Sequence, residues 1–277
     1  MPERTRNPAA RRAAIQRQLL LDGSVAVETL SREFGVSVAT IRRDLTVLDE
    51  EGEIRRTHGG AISKAPRGAD QAFALREKVD PGAKRAIARK ALELFEADQT
   101  LFMNDGSTIL ALARELVATG MPFTVATPGI NVATTLAENP EIETYLLGGR
   151  VRHRILGTSG DFTERMLRAF NGDVAFIAAE GFSPSQGLTY SYESDAKIAR
   201  LMMEQSLTTV VLATARKLGQ RDRITAIPAE AVDMLVTDCN DAELIDGFSN
   251  LGVTVVVADV ASADSSNVQA IAANSRF

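Results

Sequence analysis

Residues 30–45 read LSREFGVSVATIRRDL and predict two short helices joined by a turn at Gly35. In the second helix Ile41, Leu45 and Leu48 recur at i, i+4 and i+7, so they form one apolar stripe. Ser37 stands where an N-cap oxygen would accept a hydrogen bond from the first turn. This pattern predicts a helix-turn-helix, a motif whose second helix enters the major groove of DNA.

The side chains opposite the apolar stripe fit that groove, because they are small, polar or cationic. Arginine can bind a guanine edge or a phosphate through its forked guanidinium group. The alternative is an ordinary amphipathic helix with solvated arginines. The candidate DNA contacts on this helix are Ser37, Ala39, Thr40, Arg42, Arg43 and Thr46.

A predicted hairpin follows this helix, which is expected to end at Glu51-Gly52. Residues 54–62 read IRRTHGGAI and are typical of two short strands around a Gly-Gly turn with positive φ. Such a hairpin would be a wing that contacts the sugar-phosphate backbone. Its candidate contacts are Arg55, Arg56, His58 and Gly59.

An amphipathic stretch precedes the motif, with Ile15, Leu19 and Leu20 on one face and with Arg11, Arg12 and Arg17 as positive charges. Together with Arg4 and Arg6, Arg11 and Arg12 form a second basic cluster that could touch the DNA backbone. For Arg4 and Arg6, a solvated terminus is an equally good interpretation.

Residues 11–61 resemble the winged helix-turn-helix of the DeoR family of bacterial transcriptional regulators. The resemblance is carried by Thr40-Ile41-Arg42-Arg43-Asp44-Leu45, by Glu51-Gly52 and by Arg56-Thr57-His58-Gly59-Gly60-Ala61. It implies that the recognition helix and the wing bind double-stranded DNA. It also implies control by a phosphorylated sugar.

The composition is that of a protein with two domains and a substantial core: 277 residues, of which 45% are hydrophobic. The first 70 residues hold 12 Lys and Arg against 10 Asp and Glu, so DNA affinity must depend on local arginines in an oligomer.

Cys239 is the single cysteine, and the two histidines form no metal-ligand spacing. We therefore expect no metal and no cofactor. The sequence lacks an apolar run of about 18 residues, so we expect a cytoplasmic protein without membrane contact.

The expected domains are a winged helix-turn-helix over residues 1–62, a linker over 63–72, an α/β effector-sensing domain over 73–260 and a mobile tail over 261–277. A helix is expected around residues 84–92, ahead of the first strand. Short apolar runs then alternate with helical stretches, which predicts a parallel sheet covered on both faces. The predicted strands are 101–103, 124–126, 144–147, 174–178, 209–213, 234–236 and 253–257.

Polar turns follow these strands, and ligands of open α/β sheets bind beyond the carboxyl ends of strands. Glycine and helix-start amides in Asp105-Gly106-Ser107-Thr108 suit an anion, whereas Asp105 suits a sugar hydroxyl. The alternative interpretation of this turn is simple helix capping. Loop cations such as Arg152, Arg154, Arg221 and Arg223 are expected to be solvated, and Lys197 is expected on an exposed helix face. The candidate effector contacts are Asp105, Gly106, Ser107, Thr108, Thr127, Gly129, Gly149, Arg150, Glu180 and Lys217.

Residues 73–258 resemble the sugar-phosphate sensing domain of DeoR regulators, which is similar in fold to ribose-5-phosphate isomerase and glucosamine-6-phosphate deaminase. Residues 105–108, 148–150, 173–181, 187–189 and 217–219 carry this resemblance. It implies that residues 105–108 and Lys217 contact the effector. The chain departs from the usual family residues at Pro128-Gly129, Glu180, Ala199 and Thr214-Ala215.

Three hypotheses follow. The first is a transcription factor, a repressor in most of this family, that responds to a sugar phosphate. The second is an aldose-ketose isomerase with Asp105 or Glu180 as base and Lys217 as cation; a fused DNA-binding module disfavours it. The third is a DNA-binding protein whose second domain only oligomerises.

Overall fold

The computed structural model describes residues 7–22, 24–52, 54–57, 59–63, 73–153 and 155–260. Several sequence predictions therefore lie outside the described residues: those on Arg4, Arg6, His58 and Arg154, on the linker beyond Ser63 and on the tail from residue 261. The chain divides into two compact units, Met1–Arg76 and Glu77–Phe277.

Residues 7–63 of the first unit contain three helices and three short strands among those that the structure describes. The elements are α1 (Pro8–Asp22), β1 (Ser24–Ala26), α2 (Val27–Phe34), α3 (Val38–Glu50), β2 (Ile54–Thr57) and β3 (Gly60–Ser63). The three helices surround a core of Ile15, Leu19, Leu30, Ile41 and Leu45. The predicted stripe of the third helix is therefore confirmed as its buried face.

The predicted hairpin is present as β2 and β3, and it gains a third strand that the sequence analysis missed. Strand β1 pairs antiparallel with β3, which gives the order β1-β3-β2 in this part of the structure. The expectation of positive φ at Gly59-Gly60 is wrong, since neither glycine has a φ in the positive range. In this unit Gly35 and Gly52 have positive φ. Gly60 is required by close packing: a Cβ on it would overlap the carbonyl oxygen of Val25.

The second unit is built on a parallel sheet of seven strands among the described residues. These are β4 (Thr100–Met103), β5 (Phe123–Thr127), β6 (Ile142–Leu146), β9 (Gly172–Ala178), β12 (Ser206–Leu212), β14 (Met234–Thr237) and β15 (Thr254–Val257). They pair in the order β15-β14-β12-β9-β4-β5-β6. All seven predicted strands are confirmed, and every pairing between them is parallel. The predicted fold class, an α/β domain after a winged helix-turn-helix, is confirmed.

Helices precede and connect these strands, and the predicted helix around residues 84–92 is present as the second of them. The first of them spans the boundary between the two units. The helices are α4 (Phe73–Glu77), α5 (Pro81–Ala91), α6 (Ser107–Val117), α7 (Ile130–Leu136), α8 (Asp161–Leu167), α9 (Glu193–Glu204) and α10 (Ala242–Ser249). Buried residues of the sheet and of α9, including Phe102, Ile177, Met202 and Val211, form a continuous core. Burial on both faces of the sheet explains the near-continuous apolar character of its strands.

The second unit also contains two smaller sheets, which no sequence pattern predicted. Strands β7 (Arg150–Arg152) and β8 (Gly157–Ser159) form a hairpin. Strands β10 (Gly181–Ser183), β11 (Gly187–Tyr190) and β13 (Ile224–Ile227) form an antiparallel sheet in the order β10-β11-β13. Both of them begin in segments that the sequence analysis treated as loops beyond the main strands. None of the helices in the described ranges is long and apolar enough to cross a membrane.

Candidate DNA interface and effector site

The recognition helix α3 has a well-defined start. Gly35 adopts a left-handed conformation (φ 61°) at the end of α2, which turns the chain between the two helices. The Ser37 side chain then accepts a hydrogen bond from the Thr40 amide at 3.2 Å. This N-cap satisfies one of the free donors at the helix start, as the sequence predicted.

The candidate contact face of α3 is accessible, because the apolar stripe points into the core. Ala39, Arg42 and Arg43 are exposed, as is Ser37, while Thr40 and Thr46 are half-buried. Arg42 and Arg43 thus lie on the surface beside small and polar side chains. The contacts of these residues with DNA stay predictions.

Arg11 does not belong to a basic surface cluster, which corrects the sequence prediction. Its Nε donates to Asp44 Oδ2 at 2.6 Å, and its Nη2 donates to Asp44 Oδ1 at 3.3 Å. Both side chains are nearly inaccessible, with 6% and 7% of their surface exposed. Arg11 is neutralised inside the domain, where it ties α1 to the recognition helix, so its charge is not offered to phosphates.

The wing carries exposed cations next to the recognition helix. Arg55 and Arg56 on β2 are exposed, as is Gly59. The Nη1 atom of Arg56 donates to the Thr46 hydroxyl of α3 at 2.9 Å. Thr46 in turn donates its hydroxyl proton to the Arg42 carbonyl oxygen at 2.9 Å. The wing and the recognition helix therefore share a hydrogen-bonded surface in the free domain.

The strand order of the main sheet reverses between β9 and β4. In open α/β sheets this switch point opens a crevice at the carboxyl ends of the two strands. The segment Asn104–Thr108 follows β4, and Ala179-Glu180 follows β9. Two of the sequence-predicted turns therefore lie on either side of the crevice.

Asn104 joins the two strands at that point. Its side-chain amide donates to the Ala178 carbonyl at 2.9 Å, and its Oδ1 accepts from the Ala178 amide at 3.1 Å. The buried Tyr190 hydroxyl donates to the same carbonyl at 2.9 Å. No local sequence pattern marks Asn104 or Tyr190 as site residues, because their partners lie far away along the chain.

Helix α6 begins at Ser107, four residues after the end of β4 at the switch point. Its N-cap residue is Gly106, which provides no side-chain hydrogen bond to the amides of the first turn. Free amides at a helix start are suited to bind an anion. A Cβ on Gly106 would overlap the Ala178 methyl group, so glycine is required by the close approach of the two strand ends.

The hairpin of β7 and β8 is held close to the residues that follow β4 and β5. The Ile130 amide donates to the Leu156 carbonyl at 2.8 Å, and the Thr158 amide donates to the Pro128 carbonyl at 2.9 Å. A Cβ on Gly157 would overlap the Asp105 carboxylate, and a Cβ on Gly129 would lie 3.2 Å from the Asp105 Cα. Asp105 is therefore enclosed by two glycines, of which sequence analysis named only Gly129.

Glu180 lies in a polar cluster whose other members the sequence analysis missed. Its Oε2 accepts from the Ser191 amide at 2.7 Å and from the Ser191 hydroxyl at 2.6 Å. The same hydroxyl lies 2.7 Å from Asp222 Oδ2. Burial raises the pKa of Glu180 above its ordinary value of 4.5, and the Asp222 charge adds to this rise. The hydrogen bonds from Ser191 and the positive charge of Lys217 act in the opposite direction and lower that pKa.

Three of the predicted effector residues are electrostatically connected through this cluster. Lys217, at the end of a short helix after β12, interacts with the charge of Glu180. The pKa of Tyr190 is raised well above 10.0, chiefly by burial and further by the charges of Asp105 and Glu180. The fold therefore brings Asp105, Glu180 and Lys217 into one neighbourhood, although they come from three different loops.

Other predicted effector residues have structural roles of their own. The Thr127 hydroxyl is fully buried and accepts from the Gly129 amide at 3.0 Å. Gly149 has φ 154°, and a Cβ on it would overlap the Thr163 hydroxyl. Arg150 is exposed at the start of β7, opposite Ser159. Ser107 is half-buried and Thr108 is buried at the start of α6.

Arg152 is not a solvated loop charge, which corrects a second prediction. It lies on β7 and forms an ion pair with Asp195 at the start of α9, with only 15% of its side chain exposed. Its guanidinium group also lies 5.0 Å from the centre of the Tyr192 ring. These contacts hold the hairpin of β7 and β8 against the start of α9. Lys197 is exposed on α9, as expected, and it pairs with Glu164 at 3.3 Å.

A winged helix-turn-helix with exposed arginines, followed by an α/β domain with a polar crevice, defines a class of DNA-binding regulators with a sensor domain. Family models agree with this class over most of the chain. Residues 11–67 match the DeoR-like helix-turn-helix domain, and residues 80–239 match the DeoR C-terminal sensor domain.

Relatives that align over most of their length are named as transcriptional regulators or repressors. The chain is 33% identical to the HTH-type transcriptional regulator GlpR of Haloferax volcanii over 90% of this chain and 97% of that protein. It is 32% identical to the regulator GolR of Listeria innocua, covering 91% and 99% of the two chains. It is also 32% identical to the HTH-type transcriptional repressor GlcR of Bacillus subtilis, covering 77% and 82%. The chain belongs to the DeoR family of transcriptional regulators.

Solved structures give weaker similarity. Ribose 5-phosphate isomerase A from Neisseria gonorrhoeae aligns at 16% identity with a TM-score of 0.38, over 50% of this chain and 53% of that chain. At this score the alignment supports no argument about the site. The fold class of the second unit rests on its own strand order.

Proposed function

We propose that this DeoR-family protein is a repressor of sugar-metabolism genes that is controlled by a phosphorylated sugar bound at the β4–β9 crevice. The observation that carries the proposal is that the α6 start and Asp105 follow β4 and Glu180 follows β9 at the switch point of the sheet, where the charge of Lys217 acts on Glu180. The repressor role is supported by relatives named as repressors, among them GlcR and the lactose phosphotransferase system repressor of Lactococcus lactis.

Each group in the crevice has a task in this proposal. The free amides at the start of α6 and the Lys217 ammonium group bind the phosphate through charge-assisted hydrogen bonds. Asp105 accepts hydrogen bonds from sugar hydroxyls. Glu180 contacts the sugar beside it and accepts a hydrogen bond from one of its hydroxyls. Thr127, Gly129, Gly149 and Arg150 complete the proposed rim.

Control of DNA binding follows from linkage. An effector changes DNA affinity only when it binds the DNA-competent and the DNA-incompetent arrangements unequally, with a coupling of about 1–3 kcal/mol. We infer that the protein acts as a homo-oligomer, because paired recognition helices read paired half-sites. We place this regulator in the cytoplasm, away from membranes, where it meets the chromosome.

A thermal-shift screen tests the proposal directly. The full chain is heated with hexose phosphates, pentose phosphates and the matching unphosphorylated sugars, and the best ligand is then added to a DNA-binding titration. We expect stabilisation by a phosphorylated sugar, none by its parent sugar, and a changed DNA affinity. A stabilisation of equal size by the parent sugar would contradict phosphate recognition by α6 and Lys217.

We also infer that the second domain senses its ligand without converting it. The same carboxylates and lysine are the groups that an aldose-ketose isomerase would need. The inference that the ligand is not converted therefore needs a direct test. After prolonged incubation with the stabilising sugar phosphate, chromatography should recover that sugar phosphate unchanged. Catalytic conversion would instead assign an isomerase activity to Asp105 or Glu180.

A further inference from the structure

The strand register of the wing decides which face of β2 carries Arg56. It belongs to β2, where side chains alternate between the two faces of the sheet. Ile54 is buried in the core, and Arg56 lies two residues further along the same strand, so the two share a face. Arg56 is also paired in register with Ala61, which is buried. The face of Arg56 is therefore the one that packs towards the helices, whereas Arg55 lies on the other face.

The hydrogen bond to Thr46 places Arg56 beside the third turn of α3. Thr46 follows Arg42 by four residues and Arg43 by three, so the three side chains lie on one side of the helix. Arg56 Nη1 lies 2.9 Å from the Thr46 hydroxyl. The wing arginine is therefore held beside Arg42 and Arg43, on the part of the helix that would enter the groove.

The chemistry of the hydrogen bond leaves the guanidinium group able to bind a base. The single proton of the Thr46 hydroxyl goes to the Arg42 carbonyl at 2.9 Å, so Thr46 can only accept from Arg56. This uses one of the five N–H donors of the arginine. The remaining donors form the fork that matches the two acceptors of a guanine edge.

We propose that Arg56 is a specificity-determining residue of the DNA interface and that Thr46 is the positioning residue that aims it. Arg56 reads a guanine edge in the major groove together with α3, whereas Arg55, on the opposite face of β2, contacts the backbone. This inference rests on the DNA binding that the family establishes and on the sequence-specific repression proposed above. It differs from the backbone contact that the sequence alone predicted for Arg56.

In vitro selection tests the inference and defines the preferred DNA site in the same experiment. Full-length wild-type protein and its Arg56→Lys, Thr46→Val, Thr46→Ser and Arg55→Lys variants each select sites from a randomised duplex library. Arg56→Lys keeps the charge but removes the fork, and Arg55→Lys is its matched control on the other face. Thr46→Ser keeps the hydroxyl that Thr46→Val removes. Thermal unfolding of each variant checks that the fold is retained.

We expect Arg56→Lys and Thr46→Val to lose the preference for the same G·C pair, while Arg55→Lys and Thr46→Ser keep the wild-type motif. On the selected wild-type site, Arg56→Lys should weaken binding about 5- to 150-fold, with random-DNA affinity and salt slope unchanged. If Arg56→Lys selects the wild-type motif, Arg56 reads no base and the inference is wrong. If Thr46→Val keeps the motif, Thr46 does not position Arg56. If the wild-type protein selects no motif, sequence-specific repression fails and this inference fails with it.

Discussion

Arg11 and Asp44 form a buried ion pair that joins the first helix of the DNA-binding domain to its recognition helix, with 2.6 Å between Nε and Oδ2. The two residues are 33 positions apart in the chain. A buried pair of this kind costs several kcal/mol when one partner is lost, because the other charge stays buried without compensation.

Replacing Arg11 with alanine should therefore destabilise the winged-helix domain by about 3–5 kcal/mol. Differential scanning calorimetry of the full chain would measure this as a lower transition temperature for that domain. Arg12→Ala is the matched control, since Arg12 is the next residue on the same helix but is half-buried. Equal stability of the two variants would show that the Arg11–Asp44 pair contributes little.

Replacing Arg43 with alanine should weaken binding to the selected site by about 1–3 kcal/mol without changing thermal stability. The reason is that Arg43 is exposed on the face of α3 opposite the core. Fluorescence anisotropy titrations on the selected site would measure the loss. Unchanged affinity would remove Arg43 from the interface.

Replacing Lys217 with alanine should abolish stabilisation by the phosphorylated sugar while leaving ligand-free DNA binding intact. At about a hundred times its Kd, a ligand stabilises the wild-type protein by roughly 2.7 kcal/mol, which is several degrees in melting temperature. Arg221→Ala, an exposed cation four residues further along, is the control that should keep the full shift. A full shift in Lys217→Ala would place the phosphate elsewhere.

Gly106→Val offers an independent test of the same crevice. A side chain at this position would overlap the Ala178 methyl group beside the start of α6, so we expect the ligand-induced shift to disappear. Circular dichroism and ligand-free DNA binding would check that the sheet is intact. A folded Gly106→Val protein that still shows the full shift would contradict phosphate binding at the α6 start.

Replacing Glu180 with glutamine should change how stability depends on pH. The pKa of Glu180 is raised in the folded state, so its carboxyl stabilises the fold below the ordinary pKa of 4.5 and loses this contribution as the pH rises through the raised value. The stability of wild-type protein relative to Glu180→Gln should therefore fall as the pH rises above 4.5. Urea unfolding at a series of pH values would measure this. Glu230→Gln removes a carboxyl at an exposed position and should follow the wild-type curve of stability against pH. A Glu180→Gln curve parallel to the wild-type curve would contradict the burial of a proton-binding carboxyl.

The sequence by itself determined the elements whose signal is local. The stripe of Ile41, Leu45 and Leu48 and the Ser37 N-cap were readable because helix periodicity and capping involve neighbours within a few residues. The seven strands of the main sheet were readable because strands buried on both faces are almost continuously apolar. Asp105, Glu180 and Lys217 could be predicted as effector contacts because polar turns after such strands mark the carboxyl edge.

Only the tertiary structure decided how these elements meet. Ser191 joins Glu180, Asp222 joins Ser191, and Asn104 joins Ala178, across separations of 11, 31 and 74 residues that no local pattern encodes. Arg11 looked like a surface cation until its partner Asp44 was known, because burial of a charge depends on what folds against it. The sequence could likewise assign Arg56 to a wing, but the hydrogen bond to Thr46 exists only because the folded strand lies against the recognition helix.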